Sequence, residues 1–145
     1  MADFWVGIAS REHVLAAVRG GFCQLNHGRE SPVRRLQMGD CIIFYSPTEH
    51  IERGEALGAF TAVGRIVDEA AYQVEQSHDF RPFRRKTRYF KCRDAPIHPI
   101  LEELSFTKGL NNWGITFRRG VFQINREDYM KITTAMEIRA EEGSE

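Results

Sequence analysis

Between residues 80 and 93 the chain carries seven basic side chains, Arg81, Arg84, Arg85, Lys86, Arg88, Lys91 and Arg93, and no acidic one. Phe80, Phe83, Tyr89 and Phe90 are interleaved among them. Cations that meet phosphates and release condensed counterions, beside flat rings on which a base can stack, are what a nucleic-acid surface needs. The same stretch admits a plainer reading. Strand alternation puts Phe83, Arg85, Thr87 and Tyr89 on one side and Arg84, Lys86, Arg88 and Phe90 on the other. The rings can then point into a core while the cations pair with Asp68, Glu69 and Glu75. Arg118 and Arg119 add two cations on another expected strand and tip the balance toward a patch.

Trp5 sits in an apolar run and reads as core, whereas Trp113 follows Asn111-Asn112 in a loop and is either a stacking plate for a flat ligand or a core residue. Tyr45 and Ser46 end an apolar run, where a hydroxyl can meet a ligand edge, though a tyrosine there is equally a satisfied core phenol. For hydrolytic chemistry the chain offers His13 and His27 as bases and Cys23 or Ser46 as nucleophiles, without GxSxG, HExxH, a P-loop or GxGxxG. His13 reads as a residue of a helix's polar face. Cys23 and His27, four apart with no second pair and no CxxC, read as a core thiol and a loop histidine, so no metal and no cofactor is expected.

The elements that must position these groups belong to one domain. The chain has 145 residues with 20 Lys and Arg against 20 Asp and Glu, is 42% hydrophobic and 28% charged, and is long enough to bury a core. That composition excludes disorder, coiled coil and collagen, and no apolar run approaches a membrane span. The start Met-Ala-Asp-Phe-Trp has neither a basic n-region nor an apolar h-region, and the three cysteines are widely spaced. The expectation is a cytoplasmic protein. Zero net charge hides a dipole, since residues 127–145 carry six acids against Lys131 and Arg139.

Residues 4–9 read as a strand ending at Ser10, a helix N-cap. A helix follows with Val14, Leu15 and Val18 on one face and stops at Gly20-Gly21. Residues 22–36 are turn-rich, with a helical turn from 32 to 36. Residues 41–45 form an unbroken apolar run, a strand buried on both faces that ends at Ser46-Pro47. Residues 48–56 read as an exposed loop. Residues 60–68 alternate as a strand, with Gly64 where neighbouring backbone comes close. Residues 83–93 give a further strand, 100–104 a short helix, and 115–124 another strand. Asn125 caps a last helix whose stripe is Tyr129, Ile132 and Met136. Strands without regular βαβ alternation imply a small α+β domain over residues 1–140: a curved mixed sheet or partly open barrel closed by short helices. Residues 141–145 are expected to form a disordered tail.

The ordered set Phe4-Trp5-Val6-Gly7, Gly21-Phe22-Cys23-Gln24-Leu25, Met38-Gly39-Asp40 leading into Ile43-Phe44-Tyr45-Ser46-Pro47, Phe60-Thr61-Ala62-Val63-Gly64, Arg84-Arg85, Trp113-Gly114 and Arg118-Arg119-Gly120 resembles the EVE domain family, the bacterial group related to thymocyte nuclear protein. The resemblance covers nearly the whole chain. It implies a PUA-like pseudobarrel similar to YTH and ASCH domains, and a non-enzymatic module that receives a modified base of DNA or RNA in an aromatic-lined pocket. The matching ligand-binding positions are Phe22, Cys23, Gln24, Tyr45, Ser46, Arg84, Arg85 and Trp113. Phe117 or Phe22 would supply a close-fitting apolar corner, and Arg81, Arg88, Arg118 and Arg119, with Arg84 and Arg85, would hold phosphates. Nuclear members carry a Lys-Ser-Glu-Pro-like segment after the first tryptophan, where this chain has Ile8-Ala9-Ser10-Arg11.

Extruding a base costs a few kcal/mol, and stacking returns about 1–3 kcal/mol. A buried methyl adds only about 0.8 kcal/mol, so recognition of a modification requires fit rather than bulk. Two other readings stay open. One is a general RNA-binding module with a steep salt slope and no dependence on modification. The other is an ASCH-like enzyme acting on a small nucleoside or amide, with His27, Cys23 or Glu103 as its ionisable group.

Overall fold

β3 (Cys41–Thr48) is buried from Cys41 through Ser46, which is what an unbroken apolar run requires of its surroundings. It lies between β1 (Phe4–Ile8), to which it is parallel, and β4 (Ala56–Ile66), to which it is antiparallel. The remaining strands are β2 (Phe22–Cys23), β5 (Tyr72–Gln73), β6 (Phe83–Tyr89), β7 (Ala95–Pro96) and β8 (Val121–Ile124). The sheet runs β2-β6-β4-β3-β1-β8, with β5 added to β6 and β7 to β4. This computed structural model describes residues 2–50 and 55–138. The tail expected at 141–145 and residues 51–54 of the loop expected at 48–56 lie outside them.

Alternation along β3 separates two hydrophobic clusters. Ile42 and Phe44 join Trp5, Val14, Leu25 and Val33. Cys41, Ile43 and Tyr45 join Ile97, Leu104, Tyr129, Ile132 and Met136. Register shifts between Phe44 and Tyr45 and between Ser46 and Thr48 curl the β3–β4 pair. The second absorbs Pro47, which has no N–H for a ladder, so β3 continues past the expected stop at Ser46-Pro47. Gly64 sits where β4 meets β6. A Cβ there would come 2.8 Å from Thr87 Cγ2 and 2.9 Å from Tyr89 Cδ1, the close approach its position predicts.

α1 (Arg11–Gly20) starts at Ser10, whose Oγ accepts from the His13 N–H at 3.4 Å. It ends at Gly21, φ +70°, whose N–H donates to the Ala17 and Val18 carbonyls. Its buried face is Val14 and Ala17, with Leu15 half-buried and Val18 exposed. The expected stripe through Val18 was rotated, because Ala17 is small enough to lie flat on the sheet. The turn-rich segment contains α2 (Glu30–Arg34), earlier than expected, since Pro32 tolerates a first-turn position. α3 (Arg126–Ala135) is capped by Asn125 Oδ1, which accepts from the Asp128 N–H at 2.7 Å, and it buries Tyr129, Ile132 and Met136 as the spacing predicts.

The strand expected at 115–124 is reduced to β8. Residues Trp113–Arg119 form a 3-10 helix that buries only Phe117, with Ile115 exposed. Gly120, at φ +82°, turns the chain into β8. The strand expected at 83–93 stops at Tyr89, and the helix expected at 100–104 is a 3-10 turn over His98–Ile100 followed by further turns.

Candidate functional site

A cleft of about 650 Å3 opens where the end of β1, the first turns of α1, the β2 segment, the end of β3 and the 3-10 helix before β8 meet. Its aromatic lining is Phe22, Phe44, Phe80 and Phe117, and its cations are Arg84 and Arg118. Ser10, His13, Gln24, Asn26, His27 and Gln76 supply the other polar groups that matter here.

Register explains the pairing at its centre. Phe22 faces Lys86 and Cys23 faces Arg85 across β2 and β6. One step further along the same antiparallel pairing, Gln24 meets Arg84. Arg84 Nε donates to Gln24 Oε1 at 3.0 Å and Nη2 donates to Gln76 Oε1 at 2.9 Å. Its guanidinium carbon lies 3.6 Å from the centroid of the Phe22 ring, a cation–π stack. Partial burial lowers the Arg84 pKa from its ordinary value and nearby Tyr72 opposes that shift, leaving a cation at physiological pH.

Across the cleft, Asn26 and His27 have φ of +46° and +61°. Asn26 packs on Gly120 so closely that a Cβ on that glycine would lie only 1.9 Å from Asn26 Oδ1. The left-handed Asn-His turn thus locks to the backbone ahead of β8 and fixes that wall.

Of the residues singled out in the sequence, Phe22, Gln24, Arg84, Phe117 and Arg118 line the cleft together. The others are placed elsewhere. Cys23 is wholly buried outside the lining, and burial pushes its thiol pKa far up despite nearby Arg85. Ser46 is wholly buried, 2.8 Å from Thr61 Oγ1. Tyr45 is buried behind Phe117, their rings stacked at 4.1 Å with 19° between planes, and burial raises its phenol pKa. Trp113 is half-buried outside the lining, edge-on to Phe117 at 6.0 Å and to His98 at 5.8 Å. Trp5 is core, as expected, and its Nε1 donates to Asp40 Oδ2 at 3.0 Å. Trp5, Tyr45 and Trp113 therefore do not converge with Arg84.

Arg85 is the largest correction. Only 1% exposed, it sends Nε to Asp68 Oδ1 at 2.7 Å and Nη2 to the Asp68 carbonyl at 2.8 Å. Nη1 donates to the carbonyls of Val33, at 3.0 Å, and Leu36. The Val33 oxygen also accepts the Arg35 and Leu36 N–H groups where α2 ends, so Arg85 braces a helix C-terminus from inside the protein. Alternation had placed it opposite Arg84, and that is the side the structure seals.

Arg81 and Arg88 are exposed outside the cleft lining, and Arg81 Nη2 approaches Glu75 Oε1 at 4.0 Å. Arg119 stands over the Phe122 ring at 5.5 Å. Glu103 lies elsewhere, its carbonyl accepting from Lys131 Nζ at 2.9 Å. His13 and His27 are exposed in the cleft wall. Sequence reasoning missed Ser10, Asn26, Gln76 and Phe44 as lining residues. Asn26-His27-Gly28 carried a turn signal, but its consequence for the wall depends on Gly120, far along the chain.

The sequence profile of the EVE domain matches residues 3–135. A UPF0310 protein of Mycolicibacterium vanbaalenii is 44% identical over 132 residues, which cover 91% of this chain and 91% of that one. Among solved structures, the YTH domain of Zygosaccharomyces rouxii MRB1 protein in complex with N6-methyladenosine RNA superposes with a TM-score of 0.57 at 16% identity, covering 92% of this chain and 85% of that one. Human THYN1 protein in complex with 5-methylcytosine-containing DNA gives a TM-score of 0.53 at 13% identity, covering 94% and 98%. At such identities the likeness carries the fold, a PUA-like curled mixed sheet with short helices. With the profile spanning nearly all of the described sheet and helices, the chain belongs to the EVE domain family.

Proposed function

We propose that this protein is a non-enzymatic nucleic-acid-binding module that draws one base, a modified one, out of a DNA or RNA strand and holds it in the cleft beside Arg84. The observation that carries this reading is the cleft itself: a cavity of about 650 Å3 that combines Phe22, Phe80 and Phe117 with Arg84 and Arg118. Its size is that of a small-molecule site, and its wall holds rings, cations and amides, with no carboxylate among the described residues to repel phosphate. Structural neighbours in complex with methylated RNA and methylated DNA add support. A binding role rather than turnover is favoured because Cys23 and Ser46, the nucleophile candidates, are both sealed off from the cleft.

In this arrangement Arg118, exposed at the rim, meets a backbone phosphate, while Arg84 presents its flat guanidinium to the base. Phe117 is backed by Tyr45 and cannot recede, so it supplies the firm apolar wall that discrimination by a methyl-sized group needs. Fluorescence anisotropy of labelled single strands with plain and methylated cytosine, adenine or uracil tests the reading. Affinity that depends on the modification, with a modest salt slope, is expected. Equal binding of every oligonucleotide leaves a general RNA-binding module instead, and no binding at low salt removes both.

A further inference from the structure

A guanidinium has donors and no acceptor. Arg84 contacts Gln24 and Gln76 through N–H groups, so each carboxamide must present its oxygen to Arg84. The opposite end of each amide, an NH2, is left over. Among the described residues neither NH2 has a hydrogen-bond acceptor, and both glutamines line the cleft. One buried-edge cation thus fixes the sense of two amides that would otherwise flip freely.

Ser10, Thr48 and Asn26 also put oxygen acceptors on the wall, but none of them bonds either amide. Arg84 and Arg118 only donate, and among the described residues no aspartate or glutamate lines the cleft. We infer that Gln24, locked by Arg84, reads the base by a carbonyl oxygen, so the cleft takes an oxo base such as a 5-substituted uracil in preference to an amine-bearing one. This rests on the base-binding reading above and goes further by naming the class of base. An exocyclic amine set toward Gln24 would oppose donor to donor and leave both unpaired in a partly dry site, a penalty that exceeds the gain from an ordinary hydrogen bond. The DNA bound by the human neighbour contains 5-methylcytosine, an amine-bearing base, so the inference separates this chain from it.

Thymine and 5-methylcytosine are a matched pair for the test. Both carry the 5-methyl group, and they differ at the hydrogen-bonding edge. Each is placed as the single base in a short, labelled, otherwise abasic strand, and binding is followed by anisotropy with wild type and Gln24→Glu. The substituted carboxylate is isosteric, keeps one oxygen for Arg84 and turns an acceptor toward the cleft. Wild type is expected to prefer thymine by about tenfold, and Gln24→Glu to reverse the order.

A wild-type preference for 5-methylcytosine, or the same order in both proteins, overturns the inference while leaving base binding intact. If Gln24→Glu does not fold, the wild-type preference alone decides. If neither strand binds wild type even at low salt, base binding itself fails and the inference falls with it.

Discussion

The guanidinium carbon of Arg84 lies 3.6 Å from the centroid of the Phe22 ring, while Gly20 presses on the ring's edge so closely that a Cβ there would sit 2.5 Å from Cε2. Phe22 is therefore a support for Arg84 rather than an open plate, and a base entering the cleft meets the guanidinium plane first. Replacing Arg84 with Lys keeps the charge but loses the planar fork that holds Gln24 and Gln76. Oligonucleotide affinity is expected to fall roughly tenfold with the salt slope unchanged, and any preference among bases to disappear. Anisotropy titrations at several salt concentrations check this.

Arg85, its neighbour in sequence, is expected to behave in the opposite way. Arg85→Ala removes a buried cation, leaves the Asp68 carboxylate, only 15% exposed, with the Lys86 N–H but no cation, and uncovers the carbonyls where α2 ends. A loss of about 3–5 kcal/mol is expected from breaking a buried pair on one side. Urea unfolding measures it, and at low temperature the folded fraction should bind oligonucleotide as wild type does.

Gly120 holds a left-handed φ of +82° against Asn26. Gly120→Ala combines backbone strain with an overlap that only movement of the Asn26 side chain relieves. Roughly 1–3 kcal/mol of destabilisation is expected, together with weaker binding because the cleft wall shifts. Pairing it with Asn26→Gly, which removes the overlap but not the strain, should recover part of the stability.

The cysteines should separate by reactivity. Burial raises the Cys23 thiol pKa far beyond its ordinary value, so almost no thiolate forms at mildly alkaline pH. Iodoacetamide on the native protein is expected to label the half-buried Cys92 first and to spare Cys23 and Cys41, which are buried. Peptide mass mapping over time shows the order.

Three phenols set an alkaline limit. Burial raises the pKa of Tyr45, Tyr89 and Tyr129 above the ordinary value of 10.0. In the folded protein they keep their protons at pH values where the unfolded chain has lost them. Proton binding then favours the folded state less as pH climbs, so stability declines from about pH 10 upward until the folded values are passed. Melting temperatures from pH 9 to 11, with tyrosinate absorbance followed in parallel, should show these phenols ionising only as the protein unfolds.

What could be read in advance follows from the range over which each signal acts. The Ser10 and Asn125 caps, the buried run at 41–45 and the Tyr129, Ile132 and Met136 stripe depend on residues a turn apart, and all formed. Gly64 was legible because a glycine within a strand pattern signals close backbone. The site was less legible. Arg84 and Arg85 are equivalent by composition, and only the sheet's curl decides that one faces a cleft and the other a sealed helix end. Tyr45 carried the signals of a rim residue, yet β3 runs on past it and Phe117 covers its ring.

β1 lies between β3 and β8, with Phe4 opposite Cys41 on one side and Ile124 on the other. One flank of β1 thus waits for residues made more than a hundred positions later. Until then its amides and carbonyls form an open template for a second copy of the same strand. Truncation before Val121 should leave that template permanently exposed and also remove α3 with its buried Tyr129, Ile132 and Met136, so self-association together with loss of folding is expected.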